Sequence, residues 1–332
     1  MTDKSAHISV SKRVERAAEP VQEQVYELSF LAALGARIQR SWRQIVVAIP
    51  YIWLAVFFLV PFGIVIKISI AESIIAIPPF SDLLEWGDGA LPTISYTFEN
   101  FLYLLEDDLY WIGYLNSVKL ALLATVLCLL LGFPMAYGIA RSGTTMRSIL
   151  LLLIILPFWT SFLLRVYAWM GILGNNGFIN NILTWLGVID TPIQMMNTEF
   201  AMLVGIVYSY LPFMILPLYS NLEKMDVSLY EAAADLGSRP VQVFIDVTLP
   251  LAVPGIIAGS LLVFIPAMGE YVIPALLGGP DNLMIGRVLF DEFFTNRDWP
   301  LASAVAVALL MFLVVPIMFF QHYQAKEAEA GH

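Results

Sequence analysis

Charged residues are scarce in this chain of 332 amino acids. Asp, Glu, Lys and Arg together make up 13% of it, whereas apolar residues make up 59%. A soluble domain usually carries about 25% charged residues. The apolar residues fall in blocks near or above the roughly 20 residues that cross a bilayer core. The composition therefore excludes an ordinary soluble domain and indicates an integral membrane protein.

Signatures of enzymes and of nucleic-acid binding are also missing. The single cysteine, Cys128, lies in an apolar run and has no second thiol for a disulfide or a metal site. No phosphate-binding G-x-x-x-x-G-K-[ST] loop occurs, and no basic cluster with interleaved aromatics occurs. We therefore expect no catalytic residue, no metal, no cofactor and no nucleic-acid partner. Any ATP hydrolysis is expected on another polypeptide.

Six apolar stretches predict six membrane-spanning helices, so the predicted fold is an all-α integral membrane bundle. The fifth stretch contains Pro254, Pro266 and Pro274, and we expect kinks there. The predicted spans are approximately 46–70, 117–140, 149–172, 199–220, 250–276 and 302–320.

Positive charge is missing from two of the loops between these spans. Loops 71–116 and 173–198 contain no Lys or Arg, and the first of them carries eight acids. Basic residues lie instead before the first span and in the loops 141–148 and 221–249. The positive-inside rule therefore places both termini in the cytoplasm. The acids of loop 71–116 either concentrate cations or are simply what the topology leaves outside.

The spans and loops divide the chain into four parts. Residues 20–43 within the first part form either a helix on the membrane surface or a partly disordered tail. The parts are a cytoplasmic segment 1–45, a first span with an acidic periplasmic loop 46–116, a five-helix core 117–320 that includes the loop 221–250, and a cytoplasmic tail 321–332.

The loop 221–250 contains a short helix with its own start and stop signals. Ser228 and Glu231 have the spacing of a capping box. Gly237 can end the helix in a left-handed conformation, and Pro240 prevents its continuation. A helix of about two to three turns is marginal on its own. We therefore expect it to dock on another surface.

This stretch resembles the EAA signature of type I ABC importer permeases: Glu-Ala-Ala, three residues, Gly, nine residues, an aliphatic residue, one residue and Leu-Pro. Val247 stands where isoleucine is usual. The resemblance implies a six-helix permease fold whose short cytoplasmic helix seats in a groove of an ATPase subunit and transmits its motion. The residues expected to carry this coupling are Ser228, Tyr230, Glu231, Ala232, Ala233, Leu236, Gly237, Leu249 and Pro250.

Three further stretches, 156–170, 264–281 and 297–303, are similar to the permeases of putrescine/spermidine importers, nearest to the putrescine type. This resemblance covers the chain from about Pro50 onward. It implies an inner-membrane permease that moves polyamines by alternating access. The implied partners are two copies of a cytoplasmic ATP-binding subunit, a second similar permease and a periplasmic solute-binding protein. A permease for an amino acid, a sugar or an anion, or a secondary transporter, is the alternative.

Five residues within the predicted spans are candidates for the substrate pathway. Arg165 and Glu270 fall toward the outer half of the bilayer, where ionisable groups are expensive and often functional. They pair with each other, or Glu270 meets a substrate ammonium, or each reaches the interface. Trp159, Tyr208 and Tyr210 fall near the midplane, where aromatic rings attract cations or simply pack the bundle.

Overall fold

The computed structural model describes residues 46–85 and 93–330, preceded by Trp42 and Gln44. The expected surface helix at 20–43 and most of the segment 1–45 lie outside the described residues. The regular secondary structure of the described part is helical apart from two paired strands of two residues each, and loops connect these elements. These are β1 (Leu84–Glu85) and β2 (Thr93–Ile94), which pair antiparallel with Leu84 opposite Ile94.

Two of the helices contain π-helical turns, α1 at Ala55–Leu59 and α9 at Phe244–Thr248, and a third π-helical turn, Asp291–Asn296, directly follows α11. The helices of the described residues are α1 (Val46–Ser69), α2 (Glu99–Glu106), α3 (Asp108–Arg141), α4 (Thr144–Ile155), α5 (Phe162–Leu173), α6 (Phe178–Trp185), α7 (Glu199–Leu222), α8 (Val227–Asp235), α9 (Pro240–Met268), α10 (Val272–Leu277), α11 (Ile285–Phe290) and α12 (Trp299–Ala330).

Four of these helices, α1, α3, α7 and α9, are long and apolar enough to cross a membrane. They confirm four predicted spans, with shifted bounds. Helix α3 begins at Asp108 rather than near 117, and α9 covers Pro240–Met268 rather than 250–276. Helix α12 covers the sixth predicted span, with its apolar part at Trp299–Val314, and it stays helical through the stretch expected as a tail.

The third predicted span, 149–172, is not one straight helix, although the two bent segments that cover it are together long and apolar enough for a broken span or a re-entrant loop. The segment Thr144–Trp159, which comprises α4 and the 3-10 turn Leu156–Trp159, lies at 91° to the segment Phe162–Trp185, which comprises α5 and α6. Thr160 is extended, and both its N–H (3.2 Å) and its hydroxyl (2.7 Å) donate to the carbonyl of Pro157. These bonds end the helix. The apolar residues on both sides of the break conceal it in the sequence.

Helices α3, α7 and α9 pack against one another at the centre of the bundle. Small residues permit the close approach that drives helix association in membranes. Gly259 of α9 lies directly against the fully buried Met214 of α7. A Cβ at Gly259 would lie 2.7 Å from Met214 Sδ and 3.1 Å from the Met214 carbonyl oxygen. A side chain at this position would therefore require Met214 to shift.

Helix α3 connects the two ends of the bundle. Its 34 residues extend roughly 50 Å at 1.5 Å per residue, which exceeds the roughly 30 Å of a hydrocarbon core. Near its start, Ser117 Oγ accepts from the N–H of Ile285 at 2.8 Å and Tyr114 donates to the carbonyl of Val305 at 2.9 Å. Its last residue, Arg141, lies beside α8. We name the two ends of the bundle the α2 end and the α8 end.

Candidate functional site

Helix α8, the helix of the EAA signature, begins earlier than its predicted capping box. Its N-cap is Asp226, whose carboxylate accepts from the N–H of Ser228 at 2.9 Å. Ser228 therefore lies inside the first turn, and the prediction of a Ser228–Glu231 capping box is wrong. The physical reason is that an Asp two residues earlier supplies an equally strong cap. The same hydrogen bond favours the ionised carboxylate and lowers the pKa of Asp226.

The end of α8 confirms the prediction that Gly237 ends the helix in a left-handed conformation. This residue has φ +84°, a conformation that glycine adopts freely. Its N–H donates to the carbonyl of Ala234 at 2.9 Å, and the N–H of Ser238 donates to that of Ala233 at 3.1 Å. These two bonds form a Schellman motif. Among the described residues, apart from the two adjacent in the chain, none has an atom within 4 Å of the position that a Cβ would take at Gly237. A side chain there would therefore strain the backbone rather than collide.

Pro240 begins the next helix and does more than stop α8. It occupies the first turn of α9, where a missing N–H costs nothing. The side chain of Gln242 accepts from the N–H of Arg239 at 2.8 Å and completes this start. The last two residues of the EAA signature, Leu249 and Pro250, lie inside α9 and are exposed. The signature therefore spans two helices joined by one tight turn.

Most of the α8 surface is exposed and apolar. None of its nine residues is buried. Val227 is 57% exposed and Leu229 44%, and Leu236 just after the helix is 87% exposed. Tyr230 differs, since it is half-buried and its ring faces Arg141 of α3. An apolar surface of this kind on a short helix is typical of a site for another protein.

Glu270 lies in the break between α9 and α10 and is buried, with 7% of its surface exposed. One carboxylate oxygen accepts from the N–H groups of Val272 (3.0 Å) and Ile273 (3.4 Å) at the start of α10. The other accepts from the hydroxyl of Tyr210 in α7. The ion pairs among the described residues are Lys119–Glu199, Arg147–Glu223 and Arg287–Asp291. Pairing of Glu270 with Arg165 is therefore not observed.

The remaining pathway candidates lie apart from Glu270. The guanidinium of Arg165 lies 5.1 Å from the ring centre of Phe158 and 5.6 Å from that of Phe162. Trp159, at the bend after α4, is 74% exposed. No hydrogen bond or ion pair in the described part of the chain joins either residue to Glu270.

Tyr208 packs edge-on against Trp169, with ring centres 5.4 Å apart. Trp169 was not among the predicted pathway residues, although it occurs in the stretch 156–170. Trp169 lies eight residues after the break at Thr160–Ser161. The apolar sequence conceals this break, so it gives no signal that Trp169 lies beside Tyr208. Of the five predicted pathway residues, Tyr210 and Glu270 are therefore joined by a hydrogen bond. The other three lie at separate positions: Trp159, Arg165 and Tyr208.

An acidic cavity of about 650 Å³ lies at the α2 end of the bundle. Glu292, which is 8% exposed, accepts there from the hydroxyl of Tyr110 (3.0 Å) and the amide of Asn296 (2.8 Å). The acids of loop 71–116 contribute only part of this lining, and the segment between α11 and α12 supplies the other acids. The carboxylates that line the cavity are those of Glu99, Glu106, Glu292 and Asp298.

Comparison with known proteins agrees with this architecture. The crystal structure of a bacterial ABC transporter involved in the import of the acidic polysaccharide alginate contains a chain that superimposes with a TM-score of 0.62 at 18% identity, over 88% of this chain and 98% of that one. At this identity the likeness shows the fold, which is the type I permease fold that the sequence predicted.

Two relatives are closer in sequence, and both are named spermidine/putrescine transport system permease protein PotB. The protein of Escherichia coli (strain K12) is 44% identical over 74% of this chain and 88% of its own length. That of Haemophilus influenzae (strain ATCC 51907 / DSM 11121 / KW20 / Rd) is 40% identical over 87% of this chain and 96% of its own. Residues 128–328 match the family described as "Binding-protein-dependent transport system inner membrane component". The chain therefore belongs to this family of multi-pass inner-membrane transport permeases.

Proposed function

We propose that this chain is a permease subunit of an ATP-driven importer for the polyamines spermidine and putrescine. The observation that carries the substrate is the identity of 44% and 40% to two permeases named for these polyamines, over most of each chain. The acidic cavity at the α2 end suits a cationic solute, because clustered carboxylates raise the local concentration of cations.

Helix α8 is the proposed coupling element. It presents an exposed apolar surface with small alanines that allow close approach, and it is too short to be stable without support. A groove on an ATPase subunit would cover this surface. The chain itself then acts as a transporter and not as an enzyme, and ATP is hydrolysed by its partner. The sequence without a phosphate-binding loop supports this division.

The proposed assembly contains two copies of the ATP-binding subunit, a second permease and a periplasmic solute-binding protein. The family description, which is that of a binding-protein-dependent system, supports the last of these. The α8 end of the bundle faces the cytoplasm in this proposal, with both termini on that side. The distribution of Lys and Arg supports the orientation, and it places the acidic cavity on the periplasmic face, where substrate arrives.

The pathway residues divide into two proposed roles. Tyr210 and Glu270 position α10 against α7 through their hydrogen bonds, and any effect on substrate is indirect. Trp159, Tyr208 and Arg165 are the proposed lining residues. Trp159 is the most exposed of these three residues. Its ring is therefore the best placed to form a cation–π contact with a polyamine, or to pack on the second permease.

Uptake by whole cells tests the substrate. We expect a strain that lacks the gene for this chain to lose uptake of radiolabelled putrescine and spermidine at micromolar concentration, and the gene on a plasmid to restore it. Uptake of a radiolabelled amino acid and of a sugar serves as the control and should be unchanged. If polyamine uptake is unchanged and uptake of one control solute is lost, that solute replaces the polyamines as the proposed substrate.

A further inference from the structure

The α8 end of α3 carries three residues spaced four apart: Phe133, Tyr137 and Arg141. Side chains at this spacing lie one above the other on a single face of a helix. The guanidinium of Arg141 lies 5.3 Å from the ring centre of Tyr137, so the last two residues are in contact. We name these three residues the α3 stripe.

The α3 stripe contacts both sides of the loop 221–250, which we name the coupling loop. On the side before the tight turn, Arg141 lies over the ring of Tyr230 in α8, 3.8 Å from its centre. On the side after the turn, Phe244 of α9 meets Phe133 edge-on with ring centres 5.5 Å apart, and Tyr137 at 6.3 Å. The two helices of the EAA signature are therefore fixed to the same face of α3.

Support from Tyr230 matters because α8 has few other attachments. None of its residues is buried, and among the described residues the side-chain hydrogen bond that α8 donates is the one from the hydroxyl of Tyr230 to Met225 Sδ, at 3.2 Å. Arg141 is exposed and belongs to none of the ion pairs found among the described residues. Its guanidinium is thus engaged with the rings of Tyr137 and Tyr230 alone among the contacts described above.

We infer that Arg141 is a positioning residue for the coupling helix, which fixes α8 to α3 through Tyr230 so that a displacement of α8 moves α3. Helix α3 continues without a break to Ser117 and Tyr114, whose hydrogen bonds reach α11 and α12 at the α2 end. The stripe would therefore pass motion from the ATPase side to the opposite end of the bundle. This inference rests on the proposed coupling role of α8.

Hydrogen exchange of the full-length chain, purified in detergent, tests the attachment directly. Arg141→Gln removes the cation, and we expect the amides of α8 to exchange about fivefold faster, the size of a cation–π contact of about 1 kcal/mol. Lys224→Gln is the matched control, because it removes one positive charge from an exposed position shortly before α8, and Lys224 belongs to none of the ion pairs or cation–π contacts found among the described residues. It should leave α8 exchange unchanged. Equal exchange in the two variants would overturn the inference.

A double-mutant cycle identifies the partner. Tyr230→Leu alone should accelerate α8 exchange as Arg141→Gln does, and the double variant should be no faster than either single one, because contacting residues are not additive. Arg141→Lys should restore part of the protection, since an ammonium also interacts with the ring face. Fully additive effects would show that Arg141 and Tyr230 act independently and would contradict the proposed contact.

Transport measurements distinguish a positioning role from a purely stabilising one. In the deletion strain that carries the gene on a plasmid, we expect Arg141→Gln to lower putrescine uptake several-fold while the amount of permease in the membrane is unchanged. In the reconstituted importer, we expect the same variant to raise the number of ATP molecules hydrolysed per putrescine imported. If Gly237→Val abolishes uptake while Arg141→Gln behaves like Lys224→Gln, the positioning role is wrong and the coupling role stands. If Gly237→Val also transports normally, the coupling role itself fails.

Discussion

The hydroxyl of Tyr210 donates to the carboxylate of Glu270, and the same carboxylate caps the first turn of α10. One buried acid thus joins α7 to the segment that follows α9. A buried carboxylate needs such donors, because a charge removed from water is costly unless it is hydrogen-bonded. The arrangement assigns Glu270 a structural task and explains how it is accommodated without Arg165.

Removal of this carboxylate should destabilise the protein. We expect Glu270→Ala to reduce the free energy of unfolding by about 1–3 kcal/mol, because the donors of Tyr210 and Val272 lose their acceptor, and to lower the melting temperature in detergent. Glu270→Gln keeps one acceptor oxygen and should be milder. A Glu270→Ala protein with an unchanged melting temperature but no polyamine uptake would instead make Glu270 a direct substrate contact.

Close packing of α9 on α7 predicts an intolerant glycine. Gly259→Ala places a methyl group 2.7 Å from Met214 Sδ and 3.1 Å from a backbone oxygen, and overpacking of this kind costs about 1–3 kcal/mol. Gly138→Ala in α3 is the control, since no described residue beyond its own helix backbone lies within 4 Å of its Cβ position. We expect a lower melting temperature for the first variant only. Equal melting temperatures would mean that Met214 shifts at little cost and would contradict the predicted overpacking.

The sequence was informative where a pattern is local. The apolar blocks predicted α1, α3, α7 and α9, and Gly237 with its flanking residues predicted the end of α8. The break at Thr160 was not predictable from hydropathy, because it depends on hydrogen bonds to the carbonyl of Pro157 within an apolar stretch. The partner of Glu270 was not predictable either, because residues 210 and 270 are brought together only by the packing of α7 against α9 and α10.

Arg141 lies in a sequence pattern that carries more than its charge. Its charge indicated only the orientation of the loop, although Phe133, Tyr137 and Arg141 repeat at the helical spacing of four. The start of α8 shows the opposite case. Two capping patterns were available two residues apart, and only the geometry of the backbone distinguished Asp226 from Ser228.

The cap at Asp226 makes the start of α8 sensitive to pH. The pKa of Asp226 is lowered by its bond from Ser228, so this stabilisation is present above the ordinary pKa of an aspartate and is lost as the pH falls through the lowered value. We expect Asp226→Ala to accelerate hydrogen exchange in the first turn of α8, and Asp226→Asn to preserve protection. Acceleration by Ser228→Ala but not by Asp226→Ala would restore the capping box that the sequence predicted.

Orientation is tested by thiol labelling in a Cys128→Ala background, in which no native thiol remains. A cysteine at Glu106, exposed near the α2 end, should react with a membrane-impermeant reagent applied to intact spheroplasts. A cysteine at Arg239, exposed in the coupling loop, should react only after lysis. The reverse pattern would place α8 outside the cell and would contradict its proposed contact with an ATPase.

Coupling through α8 is tested most directly at Gly237, with Gly187 as a matched control. Both glycines have positive φ, +84° and +70°, and both have open space around the Cβ position among the described residues. Each ends a short helix, α8 or α6, by the same pair of hydrogen bonds. Valine should therefore impose the same backbone strain at either site, but only Gly237 follows the proposed coupling helix.

The decisive measurement is the number of ATP molecules hydrolysed per putrescine imported by the reconstituted importer. We predict that Gly237→Val abolishes import, or raises this ratio at least tenfold, at an unchanged amount of permease in the membrane, whereas Gly187→Val keeps the ratio of the unaltered protein. Import by Gly237→Val at the normal ratio, with the ATPase retained, would contradict the coupling role of α8.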